Sequence, residues 1–257
     1  MILIPRSINE LYSLAQKNIS QSIHFKSNAA YNFLREKLGL NLPSKSSLNR
    51  WIPLKHLQPG FNDILLQKIA SEINKMTDKE KESLVIFDEM VIRWDLKFDS
   101  FSDQVIGFTD NGKIKTNSLR KHICVFMIKG IFHPWKFVIN YFVSQNATNG
   151  SDLCELLLEN IRVATTLGLK MKAVTCDQGS NNRSCYTMLG ATIDKPFFEN
   201  NAEKIYDLYD VPHLIKSMRN TLNKSNICTL DGIADWKVIS TLYEKDKTIF
   251  LIFATFK

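Results

Sequence analysis

Two short apolar runs, each followed at once by an aspartate, constrain this chain more than any other feature. Leu84-Val85-Ile86-Phe87 leads into Asp88, and Ala173-Val174-Thr175-Cys176 leads into Asp177. A short run that is apolar on both faces suits a strand buried in the middle of a sheet. The chain must therefore build a sheet with at least two internal strands, each ending in a carboxylate.

The segments around these runs extend the sheet. Residues 93–98 and 105–108 read as two arms of a hairpin joined through a polar stretch, and residues 122–132 and 135–143 as a second pair turned at His133-Pro134. Residues 151–167 carry Leu153, Leu156, Leu157, Ile161 and Ala164 at helical spacing, and residues 61–76 carry a similar stripe. Shorter helices are expected over 181–189 and 213–222. A meander of strands followed by alternating helix and strand predicts a mixed α/β fold, a sheet with flanking helices. At 44% hydrophobic and 23% charged, the 257 residues can fill such a core.

Ahead of the sheet the chain reads as helical over residues 7–51. Leu11, Leu14 and Ala15, then Ala30, Phe33, Leu34 and Leu38, recur at helical spacing, and Gly39 stands where a left-handed helix end is wanted. Asn41-Leu42-Pro43 turns the chain, and Ser44 can cap a short helix running to Trp51. Helix, turn, helix with Lys45, Asn49 and Arg50 on the second helix suits DNA binding. A plain helical hairpin fits the same pattern. Residues 52–60, with Pro53, Pro59 and Gly60, read as a linker.

If the two aspartate-ended strands are parallel neighbours, their carboxylates converge at one sheet edge. Carboxylates held that close stay ionised only with a cation between them, and Mg²⁺ prefers such oxygen ligands. Two such ions, about 4 Å apart, support phosphodiester chemistry. The competing reading is local: Asp177 precedes Gly179-Ser180-Asn181 and could simply close a turn. Glu89 follows Asp88 but points to the other face of the strand. His213, Lys216 and Arg219 form a basic stripe on one helix, suited either to phosphates or to solvent.

The charge balance, 33 Lys and Arg against 26 Asp and Glu for a net +7, favours a polyanionic partner. Five cysteines without a CxxC give no zinc finger. No GxSxG and no GxxxxGK[ST] occurs. The opening residues lack the apolar stretch of a signal peptide, no run approaches bilayer length, and no membrane partner is expected.

Four blocks, in order, resemble the P-element-type DNA transposases and the animal proteins derived from THAP-type transposases. They are LREKLGLNLPSKSSLNRW at 34–51, LVIFDEMVIR at 84–93 with VIGFTD at 105–110, AVTCDQGSN at 173–181, and DVPHLIKSMRN at 210–220. The resemblance implies an RNase H-like catalytic sheet preceded by a helix-turn-helix-like segment. It makes Asp88 and Asp177 the first two members of an acidic triad that holds Mg²⁺ or Mn²⁺. It divides the chain into a helical DNA-binding segment at 1–56, a catalytic domain at 57–200 and the start of a GTP-binding insertion at 201–257. GTP would bind only to a complete insertion. The implied partners are DNA, either transposon ends or general duplex, and a second copy or a full-length transposase; the implied compartment is the nucleus. The family's third carboxylate lies beyond the insertion, and the zinc ligands of its THAP domain are not found here. These departures leave a second reading open, a catalytically inactive DNA-binding or regulatory relative. A third is a stand-alone nuclease completed by Glu199, Glu203 or Asp210.

Overall fold

The computed structural model describes residues 12–51, 58–99 and 103–254, with no side-chain detail for 248–254. Expectations for residues 1–11, 52–57, 100–102 and 255–257 lie outside the described residues. The chain divides into two compact units, residues 1–57 and 58–257.

In the first unit the N-terminal helical stretch is broken by a serine. Helix α1 (Leu14–Lys26) opens on a capping box of Ser13 and Gln16, then stops at Ser27. Ser27 is extended, and its hydroxyl accepts the Ala30 N–H to start α2 (Asn28–Asn32), which continues into a π-helical turn, Phe33–Lys37. A hydroxyl that satisfies a helix-start N–H competes with continuation of the preceding helix, which is why periodicity alone missed the break. Gly39 takes the left-handed conformation expected of it, at φ 64°. Helix α3 (Lys45–Trp51) follows, started by Ser44, whose Oγ accepts the Ser47 N–H. Tyr31, Leu42 and Leu48 make the small core. Burial raises the Tyr31 hydroxyl to about 12, and that hydroxyl donates to the Pro43 carbonyl at 2.7 Å, fixing the turn that aims α3.

The second unit is built on an eight-stranded sheet. Its elements are α4 (Asp63–Ile73), β1 (Glu82–Val91), β2 (Lys97–Asp99), β3 (Gln104–Ile106), β4 (Phe108–Asp110), β5 (Lys115–Leu119), β6 (His122–Gly130), β7 (Lys136–Ser144), α5 (Gly150–Thr166), β8 (Lys170–Cys176), α6 (Ser180–Met188), β9 (Phe197–Asn200), β10 (Glu203–Tyr209) and α7 (Val211–Lys224), followed by a small β11–β12 hairpin (Ile227–Thr229, Gly232–Ala234) and α8 (Trp236–Ala254). The strand order is β5-β4-β7-β6-β1-β8-β10-β9. Strands β1, β6 and β7 form an antiparallel meander, while β8 lies parallel to β1 and β10 parallel to β8.

Both apolar runs sit in the centre of this sheet, but only one face of it is dry. Ile69 and Ile73 of α4, Leu153, Leu157 and Ile161 of α5, and Cys185 and Tyr186 of α6 pack with Val85, Phe87, Phe126 and Val174 in one core. On the other face Leu84 and Ile86 are half-buried, and Val138, Tyr206 and Leu208 are exposed. The run in β1 is thus apolar on both sides yet covered by helices on one, among the described residues. Nor does β1 end at Asp88; it runs on to Val91, paired with β6 throughout.

The first hairpin is shorter than expected. Gly107, at φ 126°, turns the chain after β3, and a Cβ there would collide with the Asp95 carbonyl oxygen. Strand β4 therefore leaves the hairpin and joins the main sheet beside β7 and β5. A second close approach binds the chain before α4 to the β4–β5 turn: Gly60 donates its N–H to the Tyr141 carbonyl, and a Cβ on Gly60 would meet Gly112 Cα at 2.8 Å.

Candidate active site

Asp88 and Asp177 come to their positions through the β1–β8 ladder. The pairs Leu84↔Ala173, Val85↔Val174 and Ile86↔Thr175 run parallel. Carried two residues further, the same register sets Asp88, still within β1, level with Asp177, the residue that follows β8, and strand alternation assigns both to the face opposite the helix-covered core. A bulge makes this possible, because the pairing jumps from Ser83↔Met171 to Leu84↔Ala173 and leaves Lys172 as the extra residue. The two carboxylates are also sensed by one thiol. Burial pushes Cys176 up to about 12, against the pull of its Tyr186 hydrogen bond, and the charges of Asp177, Asp207 and Asp88 push the same way.

Each aspartate has local ties. Asp88 Oδ1 accepts the N–H of Glu89. Asp177 Oδ1 accepts the Gly179 N–H at 2.8 Å and the Asn182 side-chain amide at 2.6 Å. The turn-closing and acidic readings of Asp177 are therefore not exclusive: one oxygen closes the turn into α6, and Oδ2 has no hydrogen bond among the described residues. Asn182 is the residue that sequence reasoning missed, although its place five positions after Asp177, one turn into a helix, was a usable signal. Glu89 points to the covered face and holds the loop before α5, accepting the Thr148 N–H at 3.0 Å and lying 3.5 Å from His122 Nδ1.

The three alternative acids are engaged elsewhere. Glu199 faces Lys195 at 3.8 Å and Glu203 faces Lys172 at 3.5 Å. Asp210 is next to Asp177 across the sheet, its N–H bonded to the Cys176 carbonyl, but its Oδ2 caps α7 and meets His213 Nδ1 at 2.7 Å. Among the described residues no three His, Cys, Asp or Glu side chains gather as an ion-holding group. A cavity of about 710 Å³ along α5, lined by residues such as Lys113, Glu159 and Arg162, includes neither Asp88 nor Asp177.

The two expected DNA faces differ. On α3, Leu48 is buried while Lys45, Asn49 and Arg50 are exposed, so the polar side of that helix is presented to solvent. On α7, His213 is tied to Asp210 and Arg219 to the Asn220 side chain, while Lys216 has no hydrogen bond or ion pair among the described residues. The apolar residues Val211, Ile215 and Met218 of α7 are all more than 60% exposed.

Residues 57–190, more than half the chain, match the family model described as the TNP-like RNase H N-terminal domain. The chain belongs to the P-element-type transposase family. Residues 2–51 match a second model of that family, the Transposable element P transposase-like HTH domain. The human DNA transposase THAP9 is 26% identical over 238 residues, covering 88% of this chain and 26% of that protein. The Transposable element P transposase of Drosophila melanogaster is 27% identical over 213 residues, covering 82% and 26%. This member of the family thus spans about a quarter of the length of those relatives. The solved Drosophila P element transposase strand transfer complex superposes with a TM-score of 0.66 at 24% identity, over 91% of this chain and 49% of that one. The fold is RNase H-like, as the resemblance implied.

No helix among the described residues is long and apolar enough to cross a membrane.

Proposed function

We propose that this chain carries the opening part of a DNA transposase centre, with Asp88 and Asp177 as two of the carboxylates that hold Mg²⁺ or Mn²⁺. The observation that carries the reading is the parallel register of β1 and β8, which brings both acids to one row on the open face of the sheet. Their chemistry fits the ion: both are hard oxygen donors, Asp88 is exposed, and Asp177 keeps an oxygen outside its turn. Mg²⁺ is commonly held by one or two carboxylates, with substrate phosphates and water completing its shell. A bound divalent ion supplies Lewis acidity and an activated oxygen nucleophile for cleaving and rejoining phosphodiesters. The protein's own part is to orient Asp177 through Gly179 and Asn182 and to fix the neighbouring loop through Glu89.

In this reading residues 1–56 bind DNA through Lys45, Asn49 and Arg50, residues 57–200 form the catalytic domain, and residues 201–257 open a GTP-binding insertion. His213, Lys216 and Arg219 are secondary DNA contacts. The protein acts in the nucleus, assembled with a second copy or a full-length transposase. The test is Mn²⁺-dependent nicking and strand transfer on transposon-end duplexes, with Mn²⁺ binding measured by calorimetry. Wild type should bind the ion, and the Asp88→Ala, Asp177→Ala double variant should not. Equal binding by the two proteins sinks the metal reading.

A second reading, an inactive DNA-binding or regulatory relative, is favoured by one feature. The next acid along the same sheet edge, Asp210, is already committed to His213. DNA affinity that depends on Arg50, with no nicking under Mn²⁺, selects this reading; strand transfer eliminates it.

A further inference from the structure

The hairpin of β2 and β3 stands outside the eight-stranded sheet as a separate two-stranded ribbon. It follows directly from the strand that bears Asp88. Each strand has three residues, and Trp94, Leu96, Phe98 and Val105 in and around it are all exposed. Such a short ribbon, with its apolar side chains in water, is marginal by itself and gains from a partner.

The sequence of the β2 arm identifies the partner. Residues 93–99 read Arg93-Trp94-Asp95-Leu96-Lys97-Phe98-Asp99, a strict alternation of charged and apolar residues in which the charges run plus, minus, plus, minus. Reversing that order inverts every sign. Set antiparallel about Leu96, two copies of the arm place Asp95 opposite Lys97 of the other copy, Arg93 opposite Asp99, Trp94 opposite Phe98, and Leu96 opposite itself. Every charged pair is of opposite sign, every apolar pair is apolar with apolar, and the two kinds fall on opposite sides of the added strand. This is the self-complementarity that a two-fold interface requires. Arg93, Asp95 and Lys97 are exposed and make no ion pair among the described residues, and β2 has β3 on one edge only.

We propose that this ribbon is a homodimer contact in which the β2 arms of two copies of this chain pair antiparallel about Leu96. Pairing extends the short strand back towards Arg93 by supplying backbone partners. Nucleic acid is a poorer occupant despite the chain's net charge of +7, because the two cations and two anions of the arm cancel. The inference stands apart from the metal reading, since neither Asp88 nor Asp177 enters it.

The test uses the full chain in sedimentation equilibrium across a concentration series. Wild type should dimerise. Asp95→Lys and Lys97→Asp should each weaken the dimer by roughly ten- to thirtyfold, since each replaces two attractive cross-strand pairs with two repulsive ones. The Asp95→Lys, Lys97→Asp double variant should recover most of that loss, which a folding defect could not mimic. As a second measurement, Leu96→Cys in a Cys228→Ser background should give a covalent dimer when diamide takes two electrons and two protons from the facing thiols. A chain that stays monomeric throughout, or a dimer indifferent to all three charge variants, overturns the proposal. So does a Lys97→Asp variant that loses affinity for duplex DNA while its association is unchanged.

Discussion

Asp177 closes a turn in this fold and, in the proposed function, also holds the ion; replacing it in two ways separates the two roles. Its Oδ1 accepts two hydrogen bonds, from the Gly179 N–H at 2.8 Å and the Asn182 amide at 2.6 Å, and these launch α6. Hydrogen bonds to a charged acceptor contribute about 1.5–3 kcal/mol each when well shielded, and less at a part-buried site such as this one. Asp177→Ala removes both and should cost roughly 2–3 kcal/mol. Asp177→Asn keeps an oxygen in the same place and makes both bonds neutral, so it should cost about 1 kcal/mol or less. For a unit of this size each kcal/mol moves the melting midpoint by about 2–4 °C, so the alanine variant should melt roughly 4–12 °C lower and the asparagine variant no more than about 4 °C lower. Ion binding should rank differently. Both variants lose the negative charge, so both should lose Mn²⁺ affinity by about tenfold or more. Differential scanning calorimetry reads the first ordering and titration calorimetry the second. An asparagine variant with undiminished Mn²⁺ affinity would remove Asp177 from the ion-binding reading, and an alanine variant that melts with wild type would remove the turn.

Two further outcomes are expected. Burial raises the Asp207 carboxyl above its ordinary 3.8, and its Oδ1 is buried without a hydrogen-bond partner. The fold thus favours the protonated acid, a contribution complete below pH 3.8 and lost as pH rises through the elevated value. Asp207→Asn should therefore raise the melting midpoint at neutral pH, with the gap to wild type narrowing on acidification; a gap that widens refutes the sign. Gly60→Ala should lower stability by about 2–3 kcal/mol in urea denaturation, because a left-handed residue gains a Cβ that meets the Gly112 backbone at 2.8 Å. A neutral effect would mean that the two segments are not held together.

The sequence exposed the centre of the fold because its strongest periodic signals lie there. The runs at 84–87 and 173–176 are apolar without interruption, and α5 carries a complete stripe over four turns. Strand β10 escaped notice for the converse reason. Its sequence, EKIYDLY, sits beside β8 but shows Tyr206 and Leu208 to the open face and puts Asp207 towards the covered one, so neither alternation nor a continuous run survives. The break at Ser27 was hidden because a serine cap is a local competition that periodicity averages over. On α7 the helical spacing does not tell whether anything covers Ile215 and Met218, which is a tertiary matter. Asp88 and Asp177 could be singled out one strand at a time, whereas their alignment could not, since it depends on which strands are neighbours and in what register.

That alignment turns on parity. In a strand the side chains alternate sides, so inserting or deleting one residue between a reference point and a carboxylate sends that carboxylate through the sheet. Lys172 is one such supernumerary residue. Were Lys172 paired in the ladder instead of bulged out of it, the Ser83↔Met171 register carried forward would set Asp88 against Cys176 and turn Asp177 towards the helices. The stretch from 173 to 177 should therefore accept many substitutions but no odd-numbered change in length, whereas a change of two would keep the side and slide the acid along by about 7 Å. In a lineage of such proteins, the length of this stretch would be inherited more strictly than the identity of most residues within it.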